Sequence, residues 1–384
     1  MFADAPKQDR SRDRTASSPV SPVEDVVADI RAGRMVILMD DEDRENEGDI
    51  VVAGEKVTTE QINFMLKYAR GLICAPITEG RMEELGLRMM VAENTAPLAT
   101  GFTVSVDSRK CQGSGVSAAD RACTIRNLVD APAGSSEFIT PGHIFPLRGR
   151  DGGVLVRTGQ TEGSIDLCRL AGLAPVGVIC EILNEDGTMA RMPDLVQFAQ
   201  EHDLKISTVA DLIEYRLQNE SLVSLQATAR LPTKLGGEFE ARVYTSSVEE
   251  GEHIALVKGD IDPAVPVLVR AHSEYLPGDV FGSTGRDTGA VLRSAMTKIE
   301  AEGAGVILYV RRHRRGAEML AEDGPGGPVT TNPNARLANF KDYGIGAQIL
   351  RDLGVRKIRL LTNSPFRLPN LAGYGLEVVD VVSV

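Results

Sequence analysis

The sequence predicts an α+β (mixed α/β) protein of two domains. At 384 residues the chain is too long for one ordinary core. Apolar strand-like runs and stretches of helical spacing are mixed without strict alternation. A break near 217–224 (Leu217-Gln218-Asn219-Glu220-Ser221) is followed by a fresh β-rich series. We therefore expect a tail over 1–20, a first domain over 21–217 and a second over 222–384.

The tail is rich in Asp, Arg, Ser and Pro and lacks an apolar segment, so it reads as disordered rather than as a secretory signal. Ser21-Pro22-Val23-Glu24 reads as a helix start, with Ser as N-cap and Glu closing a capping box. Val23, Val26, Val27 and Ile30 share one face, and Gly33 ends the helix. Strands are expected at 35–39, 50–53, 72–77, 102–107, 153–157 and 177–183. Helices are expected at 59–69, 117–129, 162–171, 192–202 and 209–217. In the second domain strands are expected at 224–230, 238–245, 253–258, 266–271, 305–311, 357–362 and 376–383, with helices at 288–301 and 343–352. Residues 313–336 are rich in Gly, Pro and Arg without periodicity and read as a loop.

Composition narrows the function. The charged fraction of 25% is that of an ordinary globular protein. A net charge of −12 argues against nonspecific nucleic-acid binding. No apolar run approaches bilayer length. The five cysteines are odd in number, scattered and without CxxC spacing. They read as reduced thiols of a cytoplasmic protein.

Chemistry concentrates in three places. The run Asp40-Asp41-Glu42-Asp43-Arg44-Glu45-Asn46-Glu47-Gly48-Asp49 lies between two apolar strands. Crowded carboxylates repel, and a hard divalent cation relieves them while leaving positions open for substrate oxygens. Arg157-Thr158-Gly159-Gln160-Thr161 places a guanidinium and a hydroxyl at a helix start, a combination suited to a phosphate. Glu181 sits within an otherwise apolar strand and is a candidate base with a raised pKa.

These segments, together with Phe102–Asp107, Gly115–Arg121, His143–Arg148 and Cys180–Gly187, occur in one order over about 21–217. In this the chain resembles the 3,4-dihydroxy-2-butanone 4-phosphate synthases. The resemblance implies conversion of ribulose 5-phosphate to formate and a four-carbon dihydroxyketone phosphate, in riboflavin synthesis, with Mg²⁺ or Mn²⁺. It implies substrate contacts from Arg44 and Glu45, and a sugar-hydroxyl contact from Asp49. It implies phosphate contacts from Arg157 and Thr161, acid–base work by His143 and Glu181, and Glu45 as a metal ligand. Ser114, Asp120 and Cys74 also fall in motif positions. Where the family has a second metal ligand, a histidine, this chain has Gln160, whose amide oxygen suits Mg²⁺ but cannot carry a proton as imidazole does. The resemblance also implies a homodimer with shared active sites.

The second half is similar to the GTP cyclohydrolase II family. The matching segments are Arg270–Glu274, Gly278–Ser283, Asp342–Leu350 and Leu360–Asn363. The family's three zinc cysteines fall on Tyr275, Arg286 and Thr288, and no cysteine follows Cys180. Its base and nucleophile fall on Asn339 and Lys341, its loop on His313–Gly316, and its base-reading Gln on Val291. No zinc and no GTP hydrolysis are therefore expected. His272 and His313 read as structural or polar residues. Arg311–Arg315 remains a candidate anion patch. The alternative for the whole chain is a non-catalytic protein that senses a nucleotide or supports a partner.

Overall fold

The computed structural model describes residues 19–42, 44–235, 237–248, 251–311, 335–363 and 371–384. The chain divides into two compact units, one of residues up to 149 with 163–209, the other of 150–162 with 210–384. The mixed α/β character expected from sequence is what each unit shows, a seven-stranded sheet with helices.

The first sheet contains β1 (Val36–Met39), β2 (Gly48–Ala53), β3 (Cys74–Ile77), β4 (Val106–Ser108), β5 (Phe138–Arg148), β6 (Gly177–Glu181) and β7 (Ile206–Thr208), in the order β4-β5-β3-β6-β2-β1-β7. Its helices are α1 (Val23–Arg31), α2 (Thr59–Phe64), α3 (Glu79–Glu84), α4 (Ala118–Val129), α5 (Gln160–Leu170) and α6 (Met192–His202), and α7 (Val209–Asn219) follows. All of β2 is buried, which is why Ile50-Val51-Val52-Ala53 reads as a continuous apolar run rather than an alternating one. Ile37, Ile50, Val52, Val178 and Cys180 join Ile125 and Leu128 of α4 in one core. Each such aliphatic side chain contributes about 1.5–3 kcal/mol on burial.

Several expectations need correction. The capping box at Ser21 does not form: α1 starts after Pro22 without a side-chain cap. The capping box in this region belongs to Thr58 and Gln61 at α2. The helix expected over 59–69 finishes as a π turn at Met65–Ala69, ended by Arg70 in the left-handed region (φ 70°). The strand expected over 153–157 is a 3-10 turn, Gly153–Leu155, because Gly152 and Gly153 take positive φ. Strand β5 was not anticipated: Pro141, Gly142 and Pro146 punctuate it, and pairing with β3 and β4 overrides that signal. The expectation of five reduced thiols also fails, because Cys111 and Cys123 form a disulfide, leaving Cys74, Cys168 and Cys180 free and buried.

The second sheet runs β14-β13-β11-β12-β10-β9-β8, built from β8 (Val223–Thr233), β9 (Gly237–Ser246), β10 (Glu252–Lys258), β11 (Val267–Ser273), β12 (Gly305–Val310), β13 (Lys357–Leu361) and β14 (Glu377–Val382). Helices α8 (Leu276–Asp279), α9 (Thr288–Glu302) and α10 (Ala335–Asp352) accompany it. Phe239, Leu268, Ala295, Ile299, Ile307 and Leu361 form its core. Nearly all of the loop read at 313–336, with Arg312–Arg315 of the candidate anion patch, lies outside the described residues, as do the side chains of Asn339 and Lys341.

Candidate active site

The sequence-predicted residues fall into three groups. The first surrounds the acidic turn between β1 and β2. Asp40, whose side chain is fully buried, accepts hydrogen bonds from the Glu45 N–H (3.1 Å), the Glu47 N–H (2.8 Å) and Arg44 NH1 (2.6 Å). Arg44 also pairs with Glu45 at 2.5 Å. Just before α6, at its N-cap, Arg191 donates to the Glu45 carbonyl (2.6 Å) and to that of Asn46, which takes a left-handed conformation (φ 56°). One buried carboxylate and two arginines thus shape the turn and leave the Glu45 carboxylate partly exposed.

Asp49 and Glu181 face each other across β2 and β6. Burial pushes the Asp49 pKa well above the usual carboxylate value, and the charges of Glu181, Glu45, Asp40 and Glu47 push the same way. Burial also raises Glu47, with Glu45 adding to it. Glu181 accepts the Leu72 N–H at 2.8 Å, and Gly71 has no room for a Cβ against it. Cys74 lies nearby, its thiol pushed up by burial and by Glu181 and Asp49. The carboxyl poised to hold a proton here is Asp49, which sequence reasoning assigned only to a sugar hydroxyl. Its position opposite Glu181 depends on strand register, which the sequence does not display.

The second group is on β5. His143 Nδ1 lies 2.7 Å from Asp107 Oδ2, and Asp107 Oδ1 accepts the His143 N–H at 2.9 Å. Asp107 orients the ring, the arrangement a general base requires. It lay inside the quoted Phe102–Asp107 motif, yet no local signal linked it to a residue 36 positions away. Gly113 and Gly115 donate to Asp120, holding the loop beside this pair.

The third group is the turn 150–162, which compacts with the second unit. Arg157 NH1 pairs with Glu162 at 2.7 Å, and Glu162 also accepts the Arg150 N–H at 3.1 Å. Gln160, Thr161 and Glu162 open α5 and are buried. Glu162 is the residue sequence reasoning missed, since a first-turn Glu is ordinary helix chemistry.

Among the described residues, no cluster of three or more His, Cys, Asp or Glu side chains is arranged to hold a metal ion. Mg²⁺ needs no such cage, because one or two protein oxygens with water and substrate oxygens suffice. The carboxylates of the turn, two of which pair with Arg44, leave the Glu45 oxygens partly exposed, and an oxygen ligand of that kind fits this chemistry; Gln160 offers an amide oxygen of the same hard class.

In the second unit the positions matching the zinc cysteines do not fit zinc. The Arg286 guanidinium lies over the Tyr275 ring (5.0 Å). Thr288 donates to Asp279 at 2.6 Å. Asp279 also meets His272 Nε2 (2.8 Å), the Tyr275 N–H (2.9 Å) and the Tyr309 hydroxyl (2.8 Å). Burial lowers the His272 pKa, and its ring stacks on Tyr309. A hydrogen-bonded hub with a positive charge beside it offers no thiolate to a soft metal.

Two known families match the chain in succession. Residues 24–215 match the 3,4-dihydroxy-2-butanone 4-phosphate synthase family, and residues 224–383 match GTP cyclohydrolase II. The riboflavin biosynthesis proteins RibBA of Bacillus cereus (strain AH187) and Aquifex aeolicus (strain VF5) are 50% and 51% identical, each match covering 94% of this chain and 92% of the relative. RibBX, a two-domain 3,4-dihydroxy-2-butanone 4-phosphate synthase from A. baumannii, superposes with a TM-score of 0.77 at 41% identity, covering 94% of this chain and 99% of that one. A synthase solved with two magnesium ions matches at 42% identity and a TM-score of 0.50, covering 52% of this chain and 98% of its own. Among the described residues no helix is long and apolar enough to cross a membrane. The chain therefore belongs to the 3,4-dihydroxy-2-butanone 4-phosphate synthase family of riboflavin biosynthesis, with a GTP cyclohydrolase II domain joined behind it.

Proposed function

We propose that the first domain converts ribulose 5-phosphate to 3,4-dihydroxy-2-butanone 4-phosphate and formate, as a cytoplasmic homodimer, and that the second domain does not hydrolyse GTP. The observation that carries the first reading is the facing pair Asp49 and Glu181 beside the acidic turn. Neighbouring carboxyls, one of them raised by burial, can give and take protons on adjacent carbons of one sugar. When bound, a divalent ion held by Glu45 and Gln160 would supply a Lewis acid for the sugar oxygens. Asp49 would hold a proton at its buried carboxyl and donate a hydrogen bond to a hydroxyl. Glu181 would accept a proton from the sugar. His143, oriented by Asp107, would serve as the second base. Arg157, braced by Glu162, would grip the phosphate with Thr161.

The second reading rests on the absence of cysteine after Cys180 and on the Asp279 hub. Such a domain retains a structural or regulatory role. The test is one preparation assayed twice: ribulose 5-phosphate with Mg²⁺ or Mn²⁺, detecting formate, and GTP with Zn²⁺, detecting pyrophosphate. Formate without pyrophosphate is expected. Absence of formate at every metal concentration refutes the first reading, and zinc-dependent pyrophosphate refutes the second.

A further inference from the structure

We propose that Cys111 and Cys123 form a reversible redox site that fixes the loop behind His143, so that thiol–disulfide exchange with a small disulfide of the glutathione class sets the turnover of the synthase domain. The inference rests on the proposed reaction and on His143 taking part in it.

Cys111 lies in the loop after β4, and Cys123 lies in α4, with their Cα atoms 6.0 Å apart. Both are half-buried, so each keeps some surface open to solvent. The other three cysteines are sealed in the core. Burial pushes the Cys168 thiol up to about 12 and raises Cys74 and Cys180 as well. Exchange requires a thiolate with access to its partner, so the chemistry is confined to one pair.

The loop that this pair holds packs directly against His143. Asp120 accepts the N–H groups of Gly113 (3.0 Å) and Gly115 (3.3 Å) and the Ser117 hydroxyl (2.8 Å). Gly115 has φ +91°, and the space where its Cβ would stand is taken by Asp107 Oδ2 and His143 Nδ1. Any shift of Gly115 is therefore felt by the bond that orients His143. A second path runs through Thr124, next to Cys123: its hydroxyl lies 3.7 Å from Cys111 Sγ and accepts the N–H of Ser108, the residue after Asp107. Reduction removes one tie and leaves the Asp120 ties in place. The expected change is thus in the position of the loop, with the fold retained. Cys111 and Cys123 are positioning residues and touch no reacting atom.

The exchange balances as follows. A thiolate of the pair attacks the small disulfide, forming a mixed disulfide and releasing one small thiolate. The second cysteine thiolate attacks the mixed disulfide, closes the Cys111–Cys123 bond and releases the second. The pair loses two electrons, the small disulfide gains them, and the two protons pass to the released thiolates or to solvent.

The test uses the full chain equilibrated in glutathione buffers of graded redox poise. Alkylation and mass spectrometry read the pair, formate release gives kcat and KM, and amide exchange reads residues 109–117. Cys111 and Cys123 should interconvert while Cys74, Cys168 and Cys180 do not. Reduction should lower kcat roughly three- to tenfold, the scale of a small misplacement of a catalytic group. KM should change less than about twofold, because the phosphate is assigned to Arg157 and Thr161. Exchange should quicken over 109–117. The variants C111S and C123S should each hold the reduced-form rate in every buffer; if one misfolds by thermal melt, the other carries the comparison. Equal kcat in both redox states, an unreactive pair, or serine variants that still respond overturns the proposal. If neither state releases formate, the proposed reaction itself fails, and unchanged exchange over 109–117 then rejects the redox site independently.

Discussion

Asp40 holds the acidic turn, and replacing it with Asn tests whether the turn places Glu45. Its buried carboxylate receives two backbone N–H groups on different oxygens and the Arg44 guanidinium. In D40N, an amide oxygen in place of Oδ2 keeps Arg44 and the Glu45 N–H, but an NH2 group then meets the Glu47 N–H. A buried donor left facing a donor costs about 1–3 kcal/mol. Arg44, whose side chain is 8% exposed, loses a carboxylate partner, while Glu45 remains paired with it. That adds roughly 1 kcal/mol, for a sum of about 2–4 kcal/mol. For a unit of this size each kcal/mol moves the melting temperature by about 2–4 °C, so a drop of roughly 5–15 °C is expected. Groups that orient a metal ligand typically change metal affinity or activity about 10–100-fold when removed. The assay is formate release against Mg²⁺ concentration, beside a thermal melt. A rise of at least tenfold in the Mg²⁺ midpoint, with kcat partly restored at high metal, is expected. A protein that melts lower yet keeps its Mg²⁺ midpoint would show that Asp40 supports the fold without placing Glu45.

Three further outcomes follow from other groups. Asp49 has a folded pKa raised above 3.8 by burial and by Glu181, so its stabilising contribution is full below that value and is lost as pH rises through the folded pKa. D49N should therefore melt higher than the wild type by a margin that widens from acid to neutral pH, while formate release collapses; an equal margin at every pH refutes this. E162Q removes the buried charge that braces the partly exposed Arg157 and should cost about 1–3 kcal/mol while raising KM for the sugar phosphate more than it lowers kcat; a selective fall in kcat contradicts the phosphate role of Arg157. Burial lowers the His272 pKa below 6.5, so its contribution is present above 6.5 and is lost as pH falls through the folded pKa. H272F, filling the same space without a titrating group, should flatten the acid limb of the melting curve, and an unaltered limb would assign that loss elsewhere.

The acidic run, the turn around Arg157 and the loss of cysteine after Cys180 were legible because each is a local property: charge density, spacing and residue type are visible within a few positions. The order of motifs and the mixed α/β class were legible for the same reason. What tertiary structure decided is which distant residues meet. Asp107 finds His143 because β4 pairs with β5, a strand hidden by its prolines and glycine. Asp49 opposes Glu181 because of the β2–β6 register, and a one-residue slip would turn one of them to the other face. Cys111 and Cys123, twelve residues apart, meet because the loop after β4 folds back onto α4. Sequence names the chemical groups, whereas pairing, register and burial choose their partners and hence their protonation and orientation, because those depend on contacts between residues far apart along the chain.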